Sequence, residues 1–111
     1  MELEAKKLLL DILTSCRAIE EFNRGKTFQD YERSRMLRSA TEREFEVIGE
    51  ALNRLRNLAP AVAAQISSCN AIIAFRHRII HGYDSVDDVI VWSTLQNKLP
   101  ELGAEVEKLM A

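Results

Sequence analysis

The chain has 111 residues, of which 47% are hydrophobic, and its formal net charge is -2 at pH 7. A chain of this length can bury one hydrophobic core but not two, so we expect a single domain over residues 1–111. Its longest apolar run, residues 71–75, is far shorter than the roughly 20 residues that cross a bilayer. Its first residues lack the order of a signal peptide, so we expect neither a membrane-spanning nor a secreted protein.

The first predicted helix runs from about Glu2 to Arg24 and ends at Gly25, a residue typical of helix C-termini. Apolar residues recur along it at intervals of three and four, which predicts one buried face. These residues are Leu8, Leu9, Ile12, Ile19 and Phe22. Cys16 in this helix and Cys69 further on have no C-x-x-C spacing, so we expect two buried, reduced thiols in a cytoplasmic protein.

A second helical stretch is predicted from the capping box Thr27 and Asp30 as far as Leu58. Its buried face is predicted to contain Leu37, Ala40, Ile48, Ala51, Leu55 and Leu58. Gly49 costs about 1 kcal/mol against alanine inside a helix, so we expect another helix to cross closely there. Pro60 then ends the stretch or opens a short helical turn.

Two more helices complete the predicted fold. Ser67 or Ser68 caps the third, which ends at Gly82, and its buried side is predicted to contain Ile72, Ile73, Ile79 and Ile80. Ser85 with Asp88 repeats the capping signature. Pro100 should kink the last helix or divide it in two. The apolar residues of this helix are Val89, Trp92, Leu95, Leu99, Leu102, Val106 and Leu109. The sum is an all-α, up-down bundle of four to five helices with short connections.

The middle of the chain is basic although the whole is slightly acidic. Residues 33–83 contain eight arginines, no lysine and four glutamates, a net charge of +4. A guanidinium group binds phosphate through two parallel hydrogen bonds, so this composition is compatible with nucleic acid. It is equally typical of a solvated helix face with Glu and Arg one turn apart. Glu50 can therefore pair with Arg54 or orient an arginine of a functional site.

Cationic and titratable side chains crowd one helix end, from Phe75 to Asp84. The helix dipole favours a protonated His81, while Arg76 one turn earlier opposes it, so His81 suits proton transfer near neutrality. Arg76 suits the stabilisation of charge on phosphorus, and the pair fits metal-independent RNA cleavage by 2′-hydroxyl attack. One histidine and one arginine are few groups for this reaction, so we expect a homodimer that supplies a second set. A capping histidine and a packed tyrosine without function remain the alternative.

The order Arg76-x-x-x-x-His81-x-Tyr83 resembles the R-x-x-x-x-H-x-Y signature of the HepT-like family of HEPN domains. The similarity covers nearly the whole chain, since Ile48-Gly49-Glu50-Ala51 resembles the family's G-E-A element. Three later segments also follow the family's order: His81-Gly82-Tyr83 with Asp87, Val91-Trp92, and Leu99-Pro100-Glu101-Leu102.

The resemblance implies a homodimeric, metal-independent endoribonuclease toxin without a cofactor. Arg76 would then neutralise the scissile phosphate, His81 would move the proton, and the product would carry a 2′,3′-cyclic phosphate. Tyr83 matches the tyrosine that an MntA-like nucleotidyltransferase antitoxin modifies with AMP, which would place negative charge in the RNA site. We count His77, Arg78 and Glu50 as supporting residues, with His77 as a second acid or a phosphate contact.

Two alternatives follow from the same residues. In the first, the chain is a non-catalytic interaction module whose dimer binds a nucleotidyltransferase or a nucleotide without cutting RNA. In the second, it is a metal-binding helical protein in which His77 and His81, four residues apart on one helix, bind zinc. The sequence offers no third ligand nearby and no H-E-x-x-H motif, so we expect no metal site.

Overall fold

A computed structural model of the chain describes residues 1–82 and 86–111. Within these ranges every regular element is a helix, and no strand occurs. The helices are α1 (Leu3–Asn23), α2 (Phe28–Arg33), α3 (Arg35–Leu58), α4 (Pro60–Ala63), α5 (Cys69–His81), α6 (Asp88–Asn97) and α7 (Leu99–Met110). The expected all-α bundle of four to five helices is confirmed, with α2 and α4 as short additions.

The long helix α3 is the centre of the bundle. It packs against α1 on one side and α5 on the other, while α7 packs against α1, and α6 contacts α7 and α2. Arg56 near the end of α3 donates a hydrogen bond to Asn70 near the start of α5, and Gly49 earlier in α3 lies against Arg76 later in α5. The two helices therefore run antiparallel. The buried apolar residues form one cluster, which includes Ile12, Phe45 and Leu102.

The predicted continuous helix from Thr27 to Leu58 is wrong at one position. The capping box at Thr27 and Asp30 forms as expected and begins α2. The backbone is extended at Ser34, and the Ser34 Oγ accepts a hydrogen bond from the Leu37 N–H at 3.1 Å, which begins a new helix. A serine that caps the helix after it also ends the helix before it, so the stretch divides into α2 and α3.

The later helix boundaries follow the proline and glycine signals more closely than the serine signals. Pro60 opens the short helix α4, and Pro100 lies in the first turn of α7, so the last predicted helix is divided rather than kinked. Gly25 has the left-handed φ of 73° expected after a helix. Gly82 also follows its helix directly, but its φ of -106° is an ordinary one.

The side-chain caps of α5 and α6 differ from the prediction. Ser68 precedes α5 without a capping hydrogen bond, while Ser67 binds the carboxylates of Glu101 and Glu105 on α7. Asp87 caps α6, since its Oδ1 accepts the Val89 N–H at 2.9 Å. The predicted capping residue Ser85 lies outside the described residues.

Several apolar residues of the predicted helices are exposed. Phe22, Leu58 and Ile80 were predicted to be buried but are 37%, 37% and 39% exposed, and Val89 is 62% exposed. Both cysteines are buried and unpaired as expected, and burial raises the pKa of the Cys16 thiol to about 12. Among the described helices, none combines the length and the apolar character needed to span a membrane.

Candidate active site

Arg76 lies where α5 crosses α3, directly over Gly49. A Cβ atom built on Gly49 would lie 2.4 Å from the Arg76 Cβ and 2.8 Å from its Cδ. Carbon atoms in contact are separated by about 3.5–4.0 Å, so no side chain fits at this position while the helices keep their spacing. The close crossing expected at Gly49 is therefore present, and Arg76, the arginine of the motif, occupies the space that a side chain at position 49 would fill.

Glu50 binds two arginines at once. Its Oε2 lies 2.9 Å from the Arg76 Nη2, and its Oε1 accepts a hydrogen bond from the Arg54 Nε at 2.9 Å. Glu50 therefore pairs with Arg54 one turn away and also with Arg76 across the helix crossing. The Arg76 side chain is 27% exposed, and its buried Nε has no hydrogen-bond partner within the described residues. Arg76 is thus fixed at its end by Glu50 while part of its guanidinium group faces solvent.

A depression of about 240 Å³ opens beside Arg76, between α1 and α3. We call it the Arg76 depression, and its charged lining residues are Asp11, Arg43, Glu46, Glu50, Arg54 and Arg76. Arginines and carboxylates are equal in number here, and Arg43 pairs with Glu46 at 3.3 Å. An incoming phosphate would therefore compete with carboxylates that already hold the arginines.

Four of these charged lining residues were not predicted as site residues. Glu46 and Arg43 precede Glu50 by one and two turns, and Arg54 follows it by one turn, all on the same face of α3, and this helical spacing is visible in the sequence. The fourth, Asp11, comes from α1, and only the packing of α1 on α3 places it here. The sequence contains no local signal for Asp11.

His81 lies on a different side of α5. It lines a second depression of about 460 Å³ with Arg78 and Asp87, which we call the His81 depression, and its lining contains neither Arg76 nor Glu50. Five residues along a helix correspond to a rotation of about 140° beyond one full turn, so Arg76 and His81 point in different directions. One chain therefore does not bring the two predicted catalytic side chains into a single pocket.

His77 lies beside His81 on the exposed surface of α5. The centroids of the two imidazole rings are 4.4 Å apart, with an angle of 57° between the ring planes. Across the described ranges, no group of three histidine, cysteine or carboxylate side chains is placed to hold a metal. Tyr83, the predicted modification site, lies outside the described residues.

A partly buried polar corner lies next to the start of α6. Burial, and then the nearby charge of Asp88, raises the pKa of the Glu42 carboxyl. The pKa of Asp88 is also raised, chiefly by burial, while Arg38 opposes both shifts. The fully buried Tyr31 contacts the Trp92 ring at 5.6 Å and has a raised pKa because of burial and the charge of Glu42. This corner joins α2, α3 and α6 close to the His81 depression.

The chain is similar to known proteins along nearly its whole length. Residues 12–109 match the family model described as "Ribonuclease HepT-like". The chain is 31% identical to "Probable ribonuclease HepT" of Thermococcus cleftensis, with 98% of each chain covered. It is 29% identical to "Putative RNase MJ1380" of Methanocaldococcus jannaschii, with 94% of each chain covered. No solved structure gives a significant match. On the family model and this full-length similarity, the chain belongs to the HepT-like ribonuclease family.

Proposed function

We propose that the chain is a metal-independent endoribonuclease that cleaves RNA by attack of a 2′-hydroxyl on the adjacent phosphodiester. The observation that carries this proposal is the position of Arg76, anchored by Glu50 yet partly open to solvent, in a chain of the HepT-like family. The names of its relatives, which call them ribonucleases, support cleavage of RNA.

The reaction assigns one role to each residue. His81 accepts the proton of the 2′-hydroxyl, whose oxygen attacks phosphorus. Arg76 stabilises the additional negative charge on the phosphate oxygens as the five-coordinate state forms. The 5′-oxygen leaves with a proton from an acid, for which His77 or the histidine of a second protomer is suited. The products are a 2′,3′-cyclic phosphate and a free 5′-hydroxyl. Arg78, exposed beside His81, is a further phosphate contact.

A homodimer is part of the proposal. Arg76 and His81 line separate depressions, so a complete constellation requires side chains from two protomers. Exposed apolar side chains lie at both depressions: Ile90 lines the His81 depression, its neighbour Val89 is 62% exposed, and Ile80 of α5 lines the Arg76 depression. An apolar surface beside polar site residues is typical of a protein interface. We therefore place the dimer contact on α5 and α6.

The biological setting proposed is a toxin held in check by an MntA-like nucleotidyltransferase. The resemblance of the motif to the family signature supports this setting, with Tyr83 as the acceptor of AMP. The buried, unpaired thiols of Cys16 and Cys69 fit a reducing cytoplasm as the place of action.

One observation favours the alternative of a non-catalytic interaction module. In the Arg76 depression, the arginines Arg43, Arg54 and Arg76 are each paired with a carboxylate, which reduces their availability for phosphate. A module of this kind would form the dimer and bind its partner without cutting RNA.

The test is cleavage of RNA by the purified, unmodified protein in EDTA. We expect Arg76→Ala and His81→Ala to abolish cleavage, while Arg33→Ala, which removes an exposed arginine of α2, keeps the original rate. All variants should first show the same helical content and melting temperature. Equal cleavage by every variant would indicate a contaminating nuclease, and no cleavage by a folded dimer would favour the interaction module.

A further inference from the structure

His77 and His81 form a pair of imidazoles on one exposed face of α5. They are separated by four residues, so they lie one helical turn apart on the same side of the helix. Their ring centroids are 4.4 Å apart. Two nitrogen ligands at about 2.0–2.1 Å from a tetrahedral zinc lie about 3.4 Å from each other, a spacing that neighbouring rings reach by small χ rotations.

We propose that His77 and His81 together bind a divalent transition metal of the Zn²⁺ class, and that this binding inhibits the protein. The inhibitory part rests on the ribonuclease function proposed above, because it requires His81 to be the base. The metal has no part in the cleavage reaction itself. The sequence led us to expect no metal site because it offers no third ligand, and the proximity of the two rings is what revises that expectation. Two imidazoles and solvent water complete the coordination sphere of the metal.

The chemistry of the imidazole explains the inhibition. A ring nitrogen has one lone pair, which either accepts a proton or binds a metal. Once His81 donates that pair to zinc, it cannot accept the proton of a 2′-hydroxyl. Binding displaces water from the metal and releases a proton only from a ring that was protonated, so no other reactant is needed.

The two imidazole ligands also determine which metal ions bind this site. Imidazole nitrogen suits zinc, copper and nickel, whereas magnesium and calcium prefer oxygen ligands. The flanking Arg76 and Arg78 repel a cation, so we expect weaker binding than at a site with three protein ligands. Magnesium is therefore the matched control metal, since it has the same charge and the wrong ligand preference.

Metal binding can be measured without RNA. We expect calorimetry with Zn²⁺ to show one site per His77–His81 pair, and Zn²⁺ to raise the melting temperature. His77→Asn and His81→Asn should each weaken binding more than about tenfold, since even changes outside the ligand shell cost that much. Mg²⁺ should give no heat. Equal Zn²⁺ affinity in the original protein and in both variants would overturn the proposal.

Inhibition is measured as the cleavage rate with Zn²⁺ divided by the same protein's rate in EDTA. We expect this ratio to fall for the original protein at Zn²⁺ concentrations that occupy the calorimetric site, and to fall much less for His77→Asn. A ratio that rises with Zn²⁺, or falls equally in both proteins, would overturn the inhibitory role. Absence of cleavage in every sample would count against the ribonuclease function, whereas calorimetry would still decide whether the metal site exists.

Discussion

Gly49 and Arg76 meet at the crossing of α3 and α5, where the spacing of the two helices depends on a missing side chain. Alanine is the better helix former by about 1 kcal/mol, so propensity alone predicts that Gly49→Ala stabilises the protein. The contact predicts the opposite, because the new Cβ would lie 2.4 Å from the Arg76 Cβ, an atom with no freedom to rotate away. We expect a loss of about 1–3 kcal/mol, typical of overpacking, measured by urea unfolding.

Gly103→Ala is the matched control for this prediction. Its Cβ would meet only the Arg17 Nη1 at 3.3 Å, the end of a flexible side chain that can move. The propensity gain should then remain, and the variant should be as stable as the original protein or more so. If Gly49→Ala is as stable as the original protein, then α5 can shift away from α3 without a loss in the free energy of unfolding.

Glu50 is predicted to act on catalysis through Arg76. Glu50→Gln keeps the volume but removes the charge that fixes both Arg54 and Arg76, so the guanidinium of Arg76 can leave its position. Misplacement of a catalytic group by about 1 Å can cost up to about 10²-fold in rate. We expect kcat for RNA cleavage to fall at least about tenfold, with a smaller change in KM. Glu46→Gln, which releases Arg43 instead, should leave kcat close to its original value.

The sequence identified Gly49, Glu50 and Arg76, and it offered Glu50 as a residue that orients an arginine of the site, but it did not show which arginine or that Arg76 lies over Gly49. The glycine was conspicuous inside a helix, and the pair Glu50 and Arg54 follows from helical spacing. The contact of Glu50 with Arg76 joins residues 26 positions apart and depends on how α3 and α5 align. No pattern within one helix contains that information, so the more important of the two pairs became visible only in the folded chain.

At the scale of helices, the corner formed by α2, α3 and α6 should make stability depend on pH. Glu42 of α3 has a raised pKa, first because of burial and then because of Asp88 at the start of α6. Such a carboxyl contributes stability below its ordinary pKa of 4.5, and this contribution is lost as pH rises through the raised pKa. Glu42→Gln stays neutral throughout, so we expect it to melt at a higher temperature than the original protein near neutral pH.

The difference in melting temperature should disappear below the ordinary pKa, where Glu42 is protonated and resembles glutamine. Melting curves across this range give the comparison directly. Glu21→Gln, an exposed change on α1, serves as the control and should follow the original protein at every pH. A Glu42→Gln protein that is less stable near neutral pH would mean that the attraction to Arg38 outweighs burial.

The boundaries of the helices were predictable to different degrees. Gly25, Pro60 and Pro100 act through backbone geometry, and each ends or begins a helix where expected. A serine or aspartate can cap a helix or lie within it, and tertiary contacts decide which. Ser34 therefore divides a stretch that reads as continuous, and Asp87 caps α6 although Ser85 carried the expected signature.

At the scale of the whole molecule, the fold class follows from helical periodicity, but the site does not follow from the fold of one chain. Hydrophobic spacing accounts for the faces buried between α1, α3 and α5. The same pattern predicted burial for Ile80, which is exposed and lines the Arg76 depression, and Val89 is also exposed, next to Ile90 of the His81 depression. In the proposed homodimer, a second protomer covers these apolar side chains and supplies the remaining side chains of the active site.

Val89→Glu tests this proposed interface. A carboxylate on a surface that becomes buried on association must lose its hydration, so we expect the variant to be a monomer by light scattering while the original protein has twice the chain mass. Val89 is exposed within the chain, so the fold of the monomer should be unaffected.

Met36→Glu is the control, because Met36 is an even more exposed apolar residue on α3; this variant should remain a dimer and keep cleaving RNA. If Val89→Glu is a folded monomer without cleavage, the site requires two protomers; a monomer that cuts RNA at the original rate would show that one chain is sufficient.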